Sequence, residues 1–215
     1  MLMSILQRHQ HFWKQASLVF SASSGVLLLI ASLVANHFAN SYTANHANTV
    51  VGDLFLDNIP VVDIHLIYSE GAVLFLLILV AVLLYEPRSI PFTLKAIALF
   101  VAIRSFFIIL THLAPPANEL VINPNDYIQE LSSGDDLFFS AHTGLPFLLT
   151  AIFWHKKYLN YFFLSCAIVG GTAVILGHIH YSIDVFSALF IAFGIFHMAK
   201  FFFFKDYQTL AAGFS

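Results

Sequence analysis

Residues 177–185 read Gly-His-Ile-His-Tyr-Ser-Ile-Asp-Val, and a largely apolar run continues from Phe186 to Phe204. Two imidazoles and a carboxylate therefore stand where a hydrocarbon-compatible segment begins, and ionisable groups at such a place point to function. If a helix starts near Ser182, His180 lies one turn before Asp184, so a ring N–H of His180 can donate to the carboxylate. That contact fixes the tautomer and leaves the other nitrogen free as a nucleophile or base. His178, six residues from Asp184, falls off that face. His180 is the stronger candidate.

Working outward, the composition says where this stretch lives. Hydrophobic residues are 59% and charged residues 10% of the 215-residue chain, and the mean hydropathy is +0.83. These values predict an all-α polytopic membrane protein rather than a soluble core. The net charge of −3 gives no basis for nucleic-acid binding. Cys166 is the single cysteine, which excludes an intramolecular disulfide.

Six spans are expected, at about 18–35, 66–85, 92–113, 137–154, 161–176 and 182–204, each near the length that crosses ~30 Å of hydrocarbon. Residues 1–17 form a polar, aromatic N-terminal segment and 205–215 a tail. The first run lies too far in and is too long for a signal-peptide core, and Asn36-His37-Phe38 follows it rather than a small-residue cleavage pattern. Glu86-Pro87-Arg88 ends the second span and Pro115-Pro116 the third.

Charge placement suggests the orientation. Arg8 and Lys14, Arg88 and Lys95, Lys156 and Lys157, and Lys200 and Lys205 fall in pairs at alternate connections, and the opposite connections hold none. The positive-inside rule makes both termini cytoplasmic and turns the loops 37–65, 113–136 and 177–181 outward. The remaining basic residue, Arg104, lies inside the third span, roughly 15 Å below Pro115. A guanidinium at that depth needs water, snorkelling or an anionic partner. One reading pairs it with Glu70 near the outer end of the second span. The other makes it a phosphate clamp, because its planar fork of donors matches phosphate oxygens.

A second motif, Gly-Asp-Asp-Leu-Phe-Phe-Ser-Ala-His-Thr-Gly at 134–144, enters the fourth span from the same side. A lone membrane histidine is usually a packing or hydrogen-bonding residue. Here the topology brings His142, with the hydroxyls of Ser140 and Thr143, to nearly the level of His180. Two histidines, one buttressed by a carboxylate, with an arginine and hydroxyls nearby, suit phosphoryl transfer. One imidazole attacks phosphorus, the other protonates the leaving oxygen, and donors stabilise charge on the equatorial oxygens.

Ser-Ala-His-Thr followed by His-Tyr-Ser-Ile-Asp resembles the paired Ser-Gly-His and His-x-x-x-Asp motifs of lipid phosphate phosphatases, the type-2 phosphatidic acid phosphatase superfamily. It is more similar to their sphingomyelin synthase-like branch, typified by Gly-Asp-x-Leu-x-Ser-Gly-His-Thr and His-x-His-Tyr-Thr/Ser-x-Asp-Val. Weaker likeness extends to Leu-Asp-Asn-Ile-Pro at 56–60, to Ser69-Glu70 and to Arg104. The resemblance implies His180 as the nucleophile forming a phosphohistidine, Asp184 as its orienting group and His142 as general acid and later base. It further implies no metal or other cofactor, lipid substrates drawn from the bilayer, and Arg104, Ser140, Glu70 and Tyr181 as candidates for substrate contact. Four departures stand out. Ala141 replaces the glycine before His142, the Asp135-Asp136-Leu137-Phe138 stretch fits only loosely, Ile179 separates the histidines where the animal synthases carry an acid, and the phosphatases' Lys-x6-Arg-Pro motif has no match. The last leaves Arg104 as the obvious phosphate ligand and favours the synthase-like branch.

The expected activity is transfer of a phospho-headgroup from a phospholipid to ceramide or diacylglycerol, with hydrolysis of phosphatidate-like monoesters as the alternative. An ion-coupled carrier could use the same charged residues, yet no two halves of the chain show matching interrupted helices. Zinc on His178, His180 and outer acids is a further reading, weakly supported by their spacing.

Overall fold

A computed structural model describes residues 5–111, 113–116, 118–120 and 137–214. The protein is an all-α, polytopic membrane protein, and among the described residues the sole β feature is an isolated parallel bridge between Thr49 and Leu113. Its helices are α1 (Ile5–Trp13), α2 (Ala16–Ala44), α3 (Gly71–Tyr85), α4 (Ile90–Ile108), α5 (Ala141–Ile152), α6 (Lys157–Leu176), α7 (Ser182–Phe202) and α8 (Phe204–Phe214). A π turn, Leu66–Glu70, leads into α3, and a 3-10 turn, Pro87–Ser89, leads into α4. Five segments are long and apolar enough to cross a membrane: Ala16–Ala44, Leu66–Tyr85, Pro87–Ile108, Lys157–Leu176 and Ser182–Phe202.

The sixth apolar helix is the exception. With 12 residues, α5 reaches only ~18 Å, and residues 137–140, read from sequence as part of that span, are not helical. A polar, non-helical entrance at membrane depth survives when protein rather than lipid surrounds it. Here α6 and α7 flank α5, and Leu137, Phe139 and Ser140 are almost completely buried.

The helix of the first span, α2, departs the other way. It continues past residue 35 to Ala44, because its polar residues find partners on α4 instead of ending the helix. Ser105 Oγ donates to Asn36 Oδ1 at 3.2 Å, and Thr43 Oγ1 donates to the Ala39 carbonyl at 3.0 Å and the Ile108 carbonyl at 3.4 Å. The helix of the third span, α4, stops at Ile108, and the segment beyond it turns aside so that the Ala114 N–H donates to the Thr49 carbonyl at 2.9 Å.

Both terminal segments are helical and dock at the basic end. Lys95 Nζ lies 2.6 Å from Asp206 Oδ2 and donates to Ser21 Oγ at 2.7 Å, so a buried ion pair ties α8 to α2 and α4. Arg8 meets Glu86 at 3.2 Å and lies over the Tyr85 ring, which seats α1. The main core, including Phe92, Phe100, Phe139, Leu148, Phe163, Ala188 and Ile195, fills the space between these contacts and the opposite end. There, two smaller clusters around Ile64, Tyr68 and Val174, and around Leu56, Leu137 and Tyr181, enclose both histidine motifs.

Candidate active site

The helix α7 begins at Ser182, with Tyr181 extended before it at φ −65° and ψ 153°. Asp184, in the first turn, closes that end reciprocally. Its Oδ2 accepts the Tyr181 N–H at 3.2 Å, and its own N–H donates to the Tyr181 carbonyl at 3.0 Å. Carboxylates suit this position because first-turn N–H groups lack helical partners and the helix dipole favours negative charge there. The same Oδ2 lies 3.4 Å from His180 Nδ1. The ring N–H is not aligned on the oxygen, and His180 Nδ1 has no hydrogen bond in this geometry. The two groups are in electrostatic contact, and a modest ring rotation would convert that into a bond. Their relative exposures are 4% for His180 and 1% for Asp184.

Hydrogen bonds bring the other sequence candidates to the same place. The Ser140 N–H donates to the Asp184 carbonyl at 3.0 Å, which joins the mouth of α5 to the first turn of α7. Arg104, buried on α4, donates through Nε to the Phe139 carbonyl at 3.2 Å. His142, in the first turn of α5, stacks on Tyr68 with ring centroids 4.5 Å apart. Arg104, Ser140, His180 and Asp184 are thus tied together where α4, α5 and α7 meet, and His142 stands two residues beyond Ser140 with its ring against the π turn. Ser140 Oγ, Thr143 Oγ1, His178 Nε2 and His180 Nδ1 are buried without hydrogen-bond partners.

Two candidates are placed differently. Glu70 is exposed at the end of the π turn, and no ion pair joins it to Arg104. Tyr181 is buried, with its hydroxyl engaged by backbone groups. Its hydroxyl donates to the Ala114 carbonyl at 3.0 Å and accepts the Val51 N–H at 3.3 Å. Burial pushes its phenol pKa up, the Val51 contact opposes that, and the charges of Asp184 and Asp53 add to it. Gly134, Asp135 and Asp136 lie outside the described residues.

The structure also supplies residues that the motif reading passes over. Asp53, from the connection after α2, accepts the Ser182 N–H through Oδ2 at 2.7 Å and the N–H groups of Phe55 and Leu56 through Oδ1. Burial alone would raise its pKa; the contacts from Ser182, Leu56 and Phe55 outweigh that and hold it below the ordinary value. Nothing in the spacing of Asp53 signals a role 129 residues away.

Gly170 on α6 is a second case. A Cβ there would meet the His142 carbonyl oxygen at 2.5 Å. Pro146 explains the intimacy, since it removes the N–H that would cap that carbonyl and crowds it outward. Gly171 beside it faces Thr143 Oγ1 and Val185 in the same way, at 2.9 and 3.0 Å. The Gly-Gly pair lets the first turn of α5 press against α6. A sequence scan for adjacent glycines inside an apolar span would have found it.

His178 has an unusual backbone. Its φ is +54°, its N–H donates to the Ile175 carbonyl at 3.0 Å, and the Ile179 N–H donates to the Val174 carbonyl at 2.9 Å. This is the Schellman ending of α6, with histidine where glycine is the usual residue. Gly177 before it cannot take the bulk, because a Cβ there would lie 2.6 Å from Ile64. Among the described residues no three His, Cys, Asp or Glu side chains converge in a metal-holding group.

Comparison with known families adds one finding. Residues 134–201 match the PAP2 superfamily C-terminal model. The match covers about a third of the chain and takes in both histidine motifs, α5, α6 and nearly all of α7. No curated protein and no solved structure matches the chain.

Proposed function

We propose that the protein is a PAP2-superfamily membrane enzyme of sphingomyelin synthase-like type, moving a phospho-headgroup from a phospholipid to ceramide or diacylglycerol through a phosphohistidine. The observation that carries this reading is the buttressed imidazole. His180 has Nδ1 facing the Asp184 carboxylate at 3.4 Å, which favours the tautomer with a lone pair on Nε2. The family match over both motifs and the unsatisfied Ser140 Oγ, Thr143 Oγ1 and His178 Nε2 on them support an oxyanionic ligand there.

In the first step, His180 Nε2 attacks phosphorus, the bond from phosphorus to the leaving lipid oxygen breaks, and His142 supplies that oxygen's proton. In the second, the acceptor hydroxyl gives its proton to His142 as its oxygen attacks phosphorus, and the bond to His180 Nε2 breaks. Arg104 and the Ser140 hydroxyl stabilise the equatorial oxygens in both. Hydrolysis of a lipid phosphate uses the same first step with water as acceptor. Near-complete burial of His180 and Asp184 favours a lipid hydroxyl over water. Apart from Arg104, the Lys and Arg residues lie at the far end of the bundle, which by the positive-inside rule supports cytoplasmic termini and a site on the extracytoplasmic face.

Incubating purified protein with labelled ceramide, diacylglycerol and mixed phospholipids, then resolving the products by lipid chromatography, tests the reading. Phospho-headgroup on the labelled alcohol, absent with His180→Ala, is the expected result. Free headgroup or inorganic phosphate as sole product would assign hydrolysis, and no phosphoester turnover at all would end the reading.

A further inference from the structure

We infer that an apolar groove between α4 and α7 binds one acyl chain of the lipid whose phosphate occupies the candidate site. This rests on the proposed lipid phosphotransfer and goes further by assigning the place of the tail. The groove has a volume of about 450 Å³, within the range of small-molecule binding sites. Ile103, Phe106 and Phe107 of α4 form one wall, and Ile191, Gly194 and Met198 of α7 form the other.

Continuity with the site identifies the occupant. Phe107, at the upper rim, stacks on Phe138 with centroids 5.1 Å apart. Phe138 adjoins Phe139, whose carbonyl accepts from Arg104. The rim therefore abuts the residue that positions the phosphate clamp. Along α7, Ile191 and Met198 stand seven and fourteen residues beyond Asp184, or ~10 and ~21 Å deeper. A phospholipid with its phosphorus at His180 has the glycerol, the ester linkage and the first acyl carbons to cover the first of these intervals. The middle of an acyl chain falls in the second. Gly194 keeps the groove open, since a Cβ there would meet nothing within 4 Å. A glycine exposed within a long apolar helix lowers helix propensity, and the groove gives that residue a purpose.

Photo-crosslinking with a phospholipid carrying a diazirine in mid-chain tests this in proteoliposomes. The expected result is adducts on Phe106 and Met198 that excess unlabelled long-chain phospholipid competes away, while adducts on the outward-facing Phe190 persist because bulk lipid does not saturate. Gly194→Leu should remove the groove adducts. It should also lower the ratio of long-chain to short-chain substrate turnover roughly tenfold, since each methylene denied burial is worth about fourfold. Groove adducts that no competitor displaces, or that survive Gly194→Leu, would overturn the assignment and mark ordinary boundary lipid. The catalytic reading fails separately. His180→Ala should lose turnover yet keep the saturable adducts, and saturable adducts in a wild-type protein without phosphoester turnover would retain the groove while rejecting the chemistry.

Discussion

Substituting Gly170 by alanine should impair chemistry more than folding. The new Cβ would lie 2.5 Å from the His142 carbonyl oxygen and 3.3 Å from its carbon. Reaching an ordinary contact of 3.4 Å requires α5 and α6 to separate by about 0.9 Å, the difference between those distances. Both opposing atoms are backbone, so no side-chain rotation relieves the clash. Overpacking of this kind costs ~1–3 kcal/mol, and replacing a helical glycine by alanine returns ~1 kcal/mol. The net loss of stability is therefore ~0–2 kcal/mol. The displaced group is the proposed general acid, however, and a misplacement of ~1 Å can cost ~100-fold in rate. Thermal unfolding in detergent, compared with kcat/KM for headgroup release, separates the two effects. Gly213→Ala in α8 is the control, since a Cβ there makes only ordinary contacts, the nearest at 3.4 Å. Near wild-type turnover by a folded Gly170→Ala protein would refute the claim that this backbone contact sets the position of His142.

Other outcomes follow from the same geometry. His178→Gly should stabilise the fold by ~1 kcal/mol, because a left-handed backbone suits glycine, and it should keep far more activity than His180→Ala; equal loss in both would shift the nucleophile's role toward His178. Arg104→Lys should fold but lose most turnover, since an ammonium lacks the bidentate fork. Glu70→Gln, at an exposed position, should change stability by no more than ~0.5 kcal/mol, and a strong effect on either property would revive their pairing. For Asp53, contacts made only in the folded state depress the pKa below its ordinary 3.8. Its stabilisation is thus complete above that value and lost as pH falls through the lower folded-state value. The stability advantage of wild type over Asp53→Asn should accordingly hold above pH 3.8 and shrink below it; an advantage unchanged down to pH 2 would remove the carboxylate from the account.

What the sequence revealed and what it hid divide along physical lines. Long apolar runs announce spans, because hydrocarbon demands both length and hydrophobicity. A one-turn spacing announces His180 and Asp184, because local helix geometry alone sets their approach. Where a run ends is another matter. Asn36, Asn40 and Thr43 look like the exit of α2, yet hydrogen bonds to α4 at Asn36 and Thr43 let the helix continue. Leu137 to Ser140 look like helix, yet surrounding protein lets the chain enter the bilayer region unwound. Tertiary partners decide both boundaries, and hydropathy contains no record of partners. The roles of Asp53, the partner of Gly170 and the left-handed backbone of His178 were hidden for the same reason. Asp53 acts on a helix 129 residues away, Gly170 by lacking a side chain beside another backbone, and His178 by ending α6 in a left-handed conformation. The motifs supply the reacting groups, and their alignment depends on these residues that no motif contains. A variant with every histidine, Asp184 and Arg104 in place should therefore still fail once Gly170 bears a methyl group.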